Sequence, residues 1–223
     1  MKLMLDSAHL CEIKEAVKLD CIDAITTNPT ILLKNGVKRT TQLARILELS
    51  EAKLFVQMLG NTSKEMYQDF EDVCDFFTTK NRQFIAKVPI NKVGLEVIQM
   101  IHKNYPGQEI LGTAIYTIEQ AILAIISHCE YIAPYFNRIQ KLGGDPKQMI
   151  ADTRNYIEQS QSTCKIVAAS FKTKQQVMDA WLAGAHTCTV SYEVLESLMT
   201  NDIVEEAVNQ FNLDGYKLQE VGK

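Results

Sequence analysis

The sequence predicts a (β/α)₈ barrel with an additional C-terminal helix. Short apolar runs alternate with longer amphipathic stretches from one end of the chain to the other. Several runs, such as 84–86 and 166–169, are apolar at consecutive positions, which is typical of parallel strands covered on both faces. Dividing the 223 residues into eight units gives roughly 28 residues per unit, close to the compact end of a single barrel. We therefore expect one barrel domain over residues 1–223.

Each apolar run is expected to form a strand that is followed by a helix. The predicted strands are Leu3–Asp6, Ile22–Thr26, Leu54–Met58, Phe84–Val88, Ile110–Thr113, Tyr131–Pro134, Ile166–Ser170 and Thr187–Val190. Capping residues agree with this division: Ser7 precedes a predicted helix over Ala8–Lys18, Asn28 precedes Pro29, and Asn91 precedes a predicted helix over Lys92–Lys103. The alternative is an open doubly wound sheet, but no glycine-rich nucleotide-binding motif follows any strand.

The segment 201–223 follows the eighth unit and has a further helical pattern of apolar residues. An amphipathic helix in water needs a surface that covers its apolar face. We expect this tail to pack on another surface, such as that of a neighbouring subunit.

The composition argues against several classes of function. A net charge of −4, a pI of about 5.6 and the lack of a lysine- or arginine-rich run disfavour a nucleic-acid partner. No stretch approaches the roughly 18 apolar residues of a membrane span, and Asp6 comes too early for a signal sequence, so we expect a cytoplasmic protein. The cysteines lack zinc-site spacing, and we expect most of them to be small buried side chains.

Polar residues lie at the end of nearly every predicted strand. Because chemistry in a (β/α)₈ barrel takes place at the carboxyl ends of the strands, these side chains are the candidates for a site. They are Asp6, Thr26, Thr27, Asn28, Gln57, Lys87, Thr113, Tyr135, Asn137, Arg138, Ser170 and Lys172. The histidines are assigned no chemistry, and His186 beside the last strand is expected to be structural.

Lys87 is the strongest candidate for a reactive group. It lies within the predicted strand Phe84–Val88, where apolar neighbours keep its stem from reaching water easily. Burial lowers the pKa of a lysine, and the neutral amine attacks a ketone or aldehyde to form a Schiff base. The structural alternative is a lysine that extends to solvent or pairs with an acid.

Schiff-base chemistry needs companion groups, and the other strand ends contain suitable ones. A protonated imine draws electrons from the adjacent C–C bond, so cleavage needs an acid/base group and dipoles that hold water and hydroxyls. Asp6, Gln57, Thr113 and Tyr135 are of the right kind. Each also has a structural alternative, such as helix capping, a bond to the backbone or simple packing.

Arg138, Ser170 and Lys172 lie just past the sixth and seventh predicted strands. A guanidinium, a hydroxyl and an ammonium group can share a phosphate, such as that of a sugar phosphate. The alternative is that Arg138 and Lys172 belong to the solvated rim and pair with helix carboxylates.

At these positions the sequence resembles the transaldolase family, in particular its small-subunit branch that includes fructose-6-phosphate aldolase. The resemblance covers essentially the whole chain and is carried by the segments 5–7, 26–30, 55–57, 86–89, 111–114, 133–138 and 168–172. It implies a (β/α)₈ barrel with the Schiff-base lysine on the fourth strand, which is where Lys87 lies. It also implies a homo-oligomeric ring, often a decamer, in which the C-terminal helix reaches a neighbour.

The resemblance further implies roles for the other strand-end residues. The implied roles are binding of ketose hydroxyls by Asp6 and Asn28, positioning of a catalytic water by Gln57 and Thr113, and binding of the acceptor phosphate by Arg138 and Ser170. We expect Thr27 and Lys172 to complete the substrate-binding set. No metal or organic cofactor is expected, and the expected ligands are sugar phosphates.

Two positions distinguish activities within the family. Transaldolases typically have a glutamate where this chain has Gln57 and a phenylalanine where it has Tyr135, so both differences favour the aldolase. A phenol at Tyr135 can protonate the enamine and release dihydroxyacetone. We predict reversible cleavage of fructose 6-phosphate to dihydroxyacetone and glyceraldehyde 3-phosphate. The alternatives are a transaldolase of the pentose phosphate pathway and a catalytically silent barrel that binds sugar phosphates.

Overall fold

A computed structural model describes residues 2–221 of the chain. The predicted domain over 1–223 and tail over 201–223 also include Met1, Gly222 and Lys223, which lie outside the described residues. The strands are β1 (Leu3–Asp6), β2 (Ile22–Thr26), β3 (Lys53–Gln57), β4 (Phe84–Pro89), β5 (Ile110–Ile115), β6 (Tyr131–Pro134), β7 (Lys165–Ala168) and β8 (Thr187–Val190).

These strands form a closed parallel barrel. Each strand pairs with the next along the chain, and β8 closes the ring onto β1 through the pairs Met4–Thr189 and Leu5–Val190. The closed ring confirms the predicted (β/α)₈ barrel and rules out the open sheet.

Helices follow every strand. They are α1 (Leu10–Ala16), α2 (Pro29–Leu33), α3 (Arg39–Leu49), α4 (Ser63–Thr79), α5 (Lys92–Asn104), α6 (Ile118–Ile126), α7 (Phe136–Lys141), α8 (Pro146–Gln159), α9 (Lys174–Leu182), α10 (Tyr192–Met199) and α11 (Asp202–Glu220). The chain forms two helices after β2 and two after β6, and α11 is the predicted additional C-terminal helix. Among residues 2–221, none of the helices has both the length and the apolar composition that crossing a bilayer requires.

Four strands, β1, β2, β6 and β8, have the predicted limits, and the other four differ from them by one or two residues. β3 begins and ends one residue early, whereas β4 and β5 continue to Pro89 and Ile115. β7 ends at Ala168 and not at Ser170, because Ser170 has a φ of 64°, in the left-handed region, where a strand cannot continue.

Ser7 does not cap the first helix, so that prediction was wrong. Helix α1 begins at Leu10 with His9 at its N-cap position and is shorter than predicted at both ends. The hydroxyl of Ser7 accepts from the backbone N–H of His9 at 3.0 Å and donates to Glu12 at 2.5 Å. These two hydrogen bonds of Ser7 therefore stabilise the loop that precedes the helix.

Asn28 and Asn91 cap helices as predicted. Their side-chain oxygens accept from backbone N–H groups in the first turns of α2 and α5, at 3.0 and 2.8 Å. Helix α5 starts unusually close to the end of β4, since a Cβ added at Gly94 would lie 1.8 Å from the carbonyl oxygen of Pro89. Glycine permits this approach, which packs α5 directly against the strand that carries Lys87.

Alternation along the strands divides the barrel interior into two layers. The lower layer is an apolar cluster of Met4, Ala24, Phe55, Ile85, Leu111, Tyr131, Ala133, Val167 and Ala169. Residues two positions further along a strand face the same side, closer to its carboxyl end. For six members of the cluster these residues are Asp6, Thr26, Gln57, Lys87, Thr113 and Tyr135. The two-residue period therefore places the predicted catalytic residues together above an apolar floor.

The cysteines are only in part the buried side chains that we expected. Cys129, Cys164 and Cys188 are buried, whereas Cys74 is half-buried and Cys11 and Cys21 are exposed. All are free thiols.

Helix α11 has its apolar residues exposed to solvent. None of its described side chains is buried, and Phe211 is 71% exposed. At 100° per residue, Ile203, Val204, Phe211 and Leu218 fall on one side of the helix. An apolar stripe on a helix of 19 residues is typical of a surface that packs against another element.

Candidate active site

A cavity of about 460 Å³ opens among the carboxyl ends of the strands. Nine of the twelve candidate residues line it: Asp6, Thr26, Asn28, Lys87, Thr113, Tyr135, Arg138, Ser170 and Lys172. Thr27, Gln57 and Asn137 are not among the residues that line this cavity. Strands and loops distant in the sequence are therefore brought together around one space.

Lys87 extends from β4 into the base of the cavity. It is 6% exposed, and its Nζ donates to the carbonyl oxygen of Thr27 at 2.7 Å. Burial lowers the pKa of Lys87, and the nearby carboxyl group of Asp6 opposes this shift. More of the amine is therefore neutral near pH 7 than in an exposed lysine, and the neutral amine is the form that attacks a carbonyl group. The solvent-extended lysine of the structural alternative does not describe this residue.

Thr27 supports Lys87 and does not offer its side chain to the cavity. The residue is fully buried, and its hydroxyl donates to the carbonyl oxygen of Phe55 at 3.0 Å. Its own carbonyl oxygen is the one that accepts from Lys87. The structure therefore gives Thr27 a contact with the lysine, and its contact with a substrate stays a prediction.

Gln57 ends β3 beside Lys87, with which it pairs in the strand register. It is half-buried, and its carbonyl oxygen accepts from Arg39 Nη2 at 2.6 Å. Arg39 is also bonded to Asp69 at 2.6 Å, which ties the end of β3 to helix α4. The contact of Gln57 with a catalytic water stays a prediction.

Asp6 lies at the end of β1, within a chain of hydroxyl groups. The Thr26 hydroxyl donates to Asp6 Oδ1 at 2.7 Å, and the Thr189 hydroxyl is 2.6 Å from that of Thr26. Removal from water raises the pKa of Asp6, whereas Lys87 and the bond from Thr26 act in the opposite direction. A carboxyl group whose pKa is raised towards neutrality exchanges protons more readily at physiological pH, as acid/base catalysis requires.

Tyr135 brings a phenol to the opposite side of the barrel. Its hydroxyl lies 3.0 Å from the hydroxyl of Thr113. Burial raises the pKa of Tyr135, and the bond with Thr113 opposes this. The phenol is therefore protonated at neutral pH and can donate a proton to a bound molecule.

Arg138 lies beside Tyr135 at the rim of the cavity. Its guanidinium carbon is 5.1 Å from the centre of the Tyr135 ring, and Nη1 donates to the hydroxyl of Tyr116 at 3.1 Å. The rings of Tyr116 and Tyr135 meet edge to face at 5.5 Å. Within residues 2–221, no carboxylate forms an ion pair with Arg138 or Lys172. The structural alternative of rim ion pairs therefore does not apply in the described part of the chain.

Ser170 and Lys172 follow β7 at the same rim. The left-handed backbone of Ser170 turns the chain over the cavity, and its carbonyl oxygen accepts from the Asn137 N–H at 3.1 Å. Lys172 is exposed, and its backbone N–H donates to Gln176 at 2.7 Å. Gln176 also donates to the buried Asn137 at 3.2 Å, so Asn137 joins the loops at the ends of β6 and β7.

Sequence reasoning missed several residues of the cavity. The lining also includes Ser7, His9, Glu12, Lys34, Asn35, Thr189, Ser191, Tyr192 and Glu193. Thr26 was one of the candidate strand-end residues, but no role was assigned to it. Thr189 gave no distinguishing signal in the sequence, because a threonine within a strand is also common where it only packs. His186 has the structural position that we predicted, because its Nδ1 accepts from the Ile166 N–H at 3.0 Å.

The arrangement suits covalent chemistry on a carbonyl compound. The cavity joins a buried amine, a carboxyl group and a phenol, with cationic side chains at its rim. In the part of the chain that the structure describes, no group of three or more His, Cys, Asp or Glu side chains is placed to hold a metal ion.

Comparison with known families leads to the same chemistry. The family model for transaldolase/fructose-6-phosphate aldolase matches residues 3–221 of this chain of 223 residues. Members of that family are Schiff-base aldolases or transaldolases and bind sugar phosphates. Because the match extends over nearly the whole sequence, the chain belongs to the transaldolase/fructose-6-phosphate aldolase family.

Proposed function

We propose that this chain is an aldolase that forms a Schiff base through Lys87 and reversibly cleaves fructose 6-phosphate to dihydroxyacetone and glyceraldehyde 3-phosphate. The observation that carries the proposal is the phenol of Tyr135, which lies 3.0 Å from the Thr113 hydroxyl in the cavity that holds Lys87. The fate of the enamine separates the two activities of the family. A protonated phenol supplies the proton that frees dihydroxyacetone, whereas an enamine without a proton donor waits for an acceptor aldehyde.

Bond formation begins at the amine of Lys87. Its lone pair attacks the ketone carbon, and loss of that oxygen as water leaves a protonated imine. Asp6 and Asn28 hold hydroxyl groups of the ketose. Since the side-chain oxygen of Asn28 is occupied by the first turn of α2, its amide N–H group remains to donate to the substrate.

Cleavage then needs two proton transfers. A base takes the proton of the hydroxyl next to the breaking bond, the electron pair of that bond moves to the imine, and the aldehyde departs from an enamine. An acid protonates the enamine carbon, and water hydrolyses the resulting imine to restore the amine. We assign these transfers to Asp6 and Tyr135, and the placing of the water to Gln57 and Thr113.

The phosphate of the aldehyde is received at the rim. Arg138 offers its guanidinium, Ser170 a hydroxyl and Lys172 an ammonium group. Tyr116 supports this assignment because its bond to Arg138 orients the guanidinium at the mouth of the cavity.

The oligomer belongs to the same proposal. We propose that the apolar stripe of α11 packs on a neighbouring subunit in a homo-oligomeric ring, of which a decamer is the expected form. The exposure of Phe211 and its neighbours on the stripe supports this.

Lys87 is expected to carry the covalent intermediate. Incubation with dihydroxyacetone and reduction with borohydride should add a three-carbon unit to Lys87, detected by peptide mass spectrometry. Lys87→Met should abolish both the adduct and turnover, whereas Lys92→Met, a change at an exposed lysine, should leave both intact. Absence of the adduct from folded, substrate-binding protein would favour the silent barrel, and turnover by Lys87→Met would exclude the mechanism.

Tyr135→Phe is expected to lower cleavage of fructose 6-phosphate by about 10²- to 10⁴-fold, the usual effect of losing an acid/base group. Transfer of the three-carbon unit to erythrose 4-phosphate should fall less, since transfer does not need the enamine to be protonated. Both rates are measured with the same enzyme preparation. Tyr131→Phe is a matched control, because the Tyr131 hydroxyl bonds to Glu109 at 2.9 Å at the opposite end of β6. Equal losses of cleavage and transfer in Tyr135→Phe would remove its discriminating role, and a faster transfer than cleavage in the unaltered chain would establish a transaldolase.

Arg138→Met is expected to reduce kcat/KM for condensation of dihydroxyacetone with glyceraldehyde 3-phosphate by about 10- to 100-fold, the range for bonds to a charged group. The reaction with unphosphorylated glyceraldehyde should change little, because that acceptor has no phosphate for Arg138 to bind. Lys141→Met, on the same helix α7 and exposed, is the control. A similar loss with both acceptors would contradict phosphate binding by Arg138.

Phe211→Asp is expected to dissociate the oligomer, because it places a charge within the apolar stripe of α11. The molar mass is measured by light scattering. Asn209→Asp, on the polar side of α11, should leave the mass unchanged. A monomeric unaltered chain, or a Phe211→Asp variant of unchanged mass, would contradict the proposed interface.

A further inference from the structure

We infer that Thr189 is a positioning residue for the reaction, acting on Asp6 through the hydroxyl of Thr26. This inference rests on the proposed function, in which Asp6 transfers protons. Its basis is a line of side chains across three neighbouring strands, β8, β1 and β2.

The three side chains meet within the interior of the barrel. Asp6 and Thr26 are partners in the register of β1 and β2, and Thr189 pairs with Met4, two residues before Asp6 on β1. The oxygen–oxygen distances are 2.7 Å from Thr26 to Asp6 and 2.6 Å from Thr26 to Thr189. Thr26 is 1% exposed and Thr189 is 5% exposed. Both hydroxyls are therefore largely withdrawn from water and depend on each other for their hydrogen bonds.

The single proton of each hydroxyl gives the chain a direction. An ionised Asp6 can only accept, so Thr26 turns its proton towards the carboxylate. The oxygen of Thr26 is then free to accept a proton from Thr189. The order of donation in this state is Thr189 to Thr26 to Asp6.

Protonation of Asp6 reverses the direction. The carboxyl group then donates to Thr26, whose proton turns towards Thr189. Only hydroxyl hydrogens rotate, and the heavy atoms keep their places. The chain therefore satisfies Asp6 in both states through which an acid/base group passes, which a single neighbouring hydroxyl would do less well.

Removal of the Thr189 hydroxyl affects the two states unequally. With Asp6 ionised, Thr26 would lose one donor but keep its own bond to the carboxylate, whereas with Asp6 protonated the buried Thr26 proton would lose its acceptor, which costs more. The other titratable groups that face Asp6 are Lys87 from β4 and Tyr135 from the end of β6, and both remain in place. The protonated form of Asp6 is thus destabilised more than the ionised form, and the carboxyl group loses its proton at a lower pH.

Thr189→Val tests the inference, because valine keeps the shape and removes the hydroxyl. Thr189→Ser restores a hydroxyl at the same position. Thr187→Val is the matched control: Thr187 lies on the same strand and the same face, is buried, and bonds to the Lys2 carbonyl oxygen at 2.6 Å at the other end of the barrel. For each protein, kcat and KM for fructose 6-phosphate cleavage are measured against pH, together with the borohydride adduct on Lys87.

The expected result in Thr189→Val is a kcat lowered by about 2- to 10-fold, the effect of losing one neutral hydrogen bond. The acid limb of its kcat profile should move to lower pH, since a base with a lowered pKa keeps its ionised form to a lower pH. KM should change little, Thr189→Ser should restore the profile of the unaltered chain, and Thr187→Val should leave the limb in place.

An acid limb that does not move in Thr189→Val would overturn the inference. A rise in KM alone would also overturn it, because it would show that Thr189 touches the substrate directly. Equal effects in Thr187→Val would reduce the role of Thr189 to stabilising β8. Absence of the Lys87 adduct in the unaltered chain would overturn the proposed function and the inference with it, whereas an intact adduct with an unmoved limb would overturn the inference alone.

Discussion

The withdrawal of the Lys87 amine from water is the constraint on which the rest of the site depends. An ammonium group loses its hydration on burial, and the barrel offers it a carbonyl oxygen at 2.7 Å and the nearby carboxyl group of Asp6. These partners hold the amine in place, yet burial still dominates and lowers its pKa. A buried lysine of this kind is useful to a protein that needs a nucleophile, since the proton is easier to remove.

The architecture imposes this burial through strand alternation. Side chains two residues apart share the interior, so an apolar layer ending in residues such as Ile85 lies directly beneath the polar layer that contains Lys87. Helix α5 closes in on the same strand because Gly94 lets its first turn approach Pro89. The stability of the barrel and the lowered pKa of the Lys87 amine therefore have a common origin in the packing around β4.

In the proposed reaction, the groups that transfer protons lie on two sides of the barrel. The chain of Asp6, Thr26 and Thr189 belongs to β1, β2 and β8, whereas Thr113 and Tyr135 belong to β5 and the end of β6. If a substrate is bound to Lys87 as proposed, this opposite placement gives a carboxyl group and a phenol access to it from different directions. Within the proposed reaction, the link from Tyr135 to Arg138 brings the proton donor close to the phosphate site.

The sequence by itself determined the eight-stranded barrel and most of the candidate site, because apolar runs, caps and strand-end polar residues are local features. It placed Lys87, Asp6, Tyr135 and Arg138 at strand ends that the structure joins in one cavity. Only the tertiary structure decided the partners of these residues. The hydroxyls of Thr26 and Thr189 are 163 positions apart in the chain, and Thr27 uses its carbonyl oxygen where a side-chain contact was expected. Such contacts depend on the register with which the ring closes, a property of all the strands together that no local pattern contains.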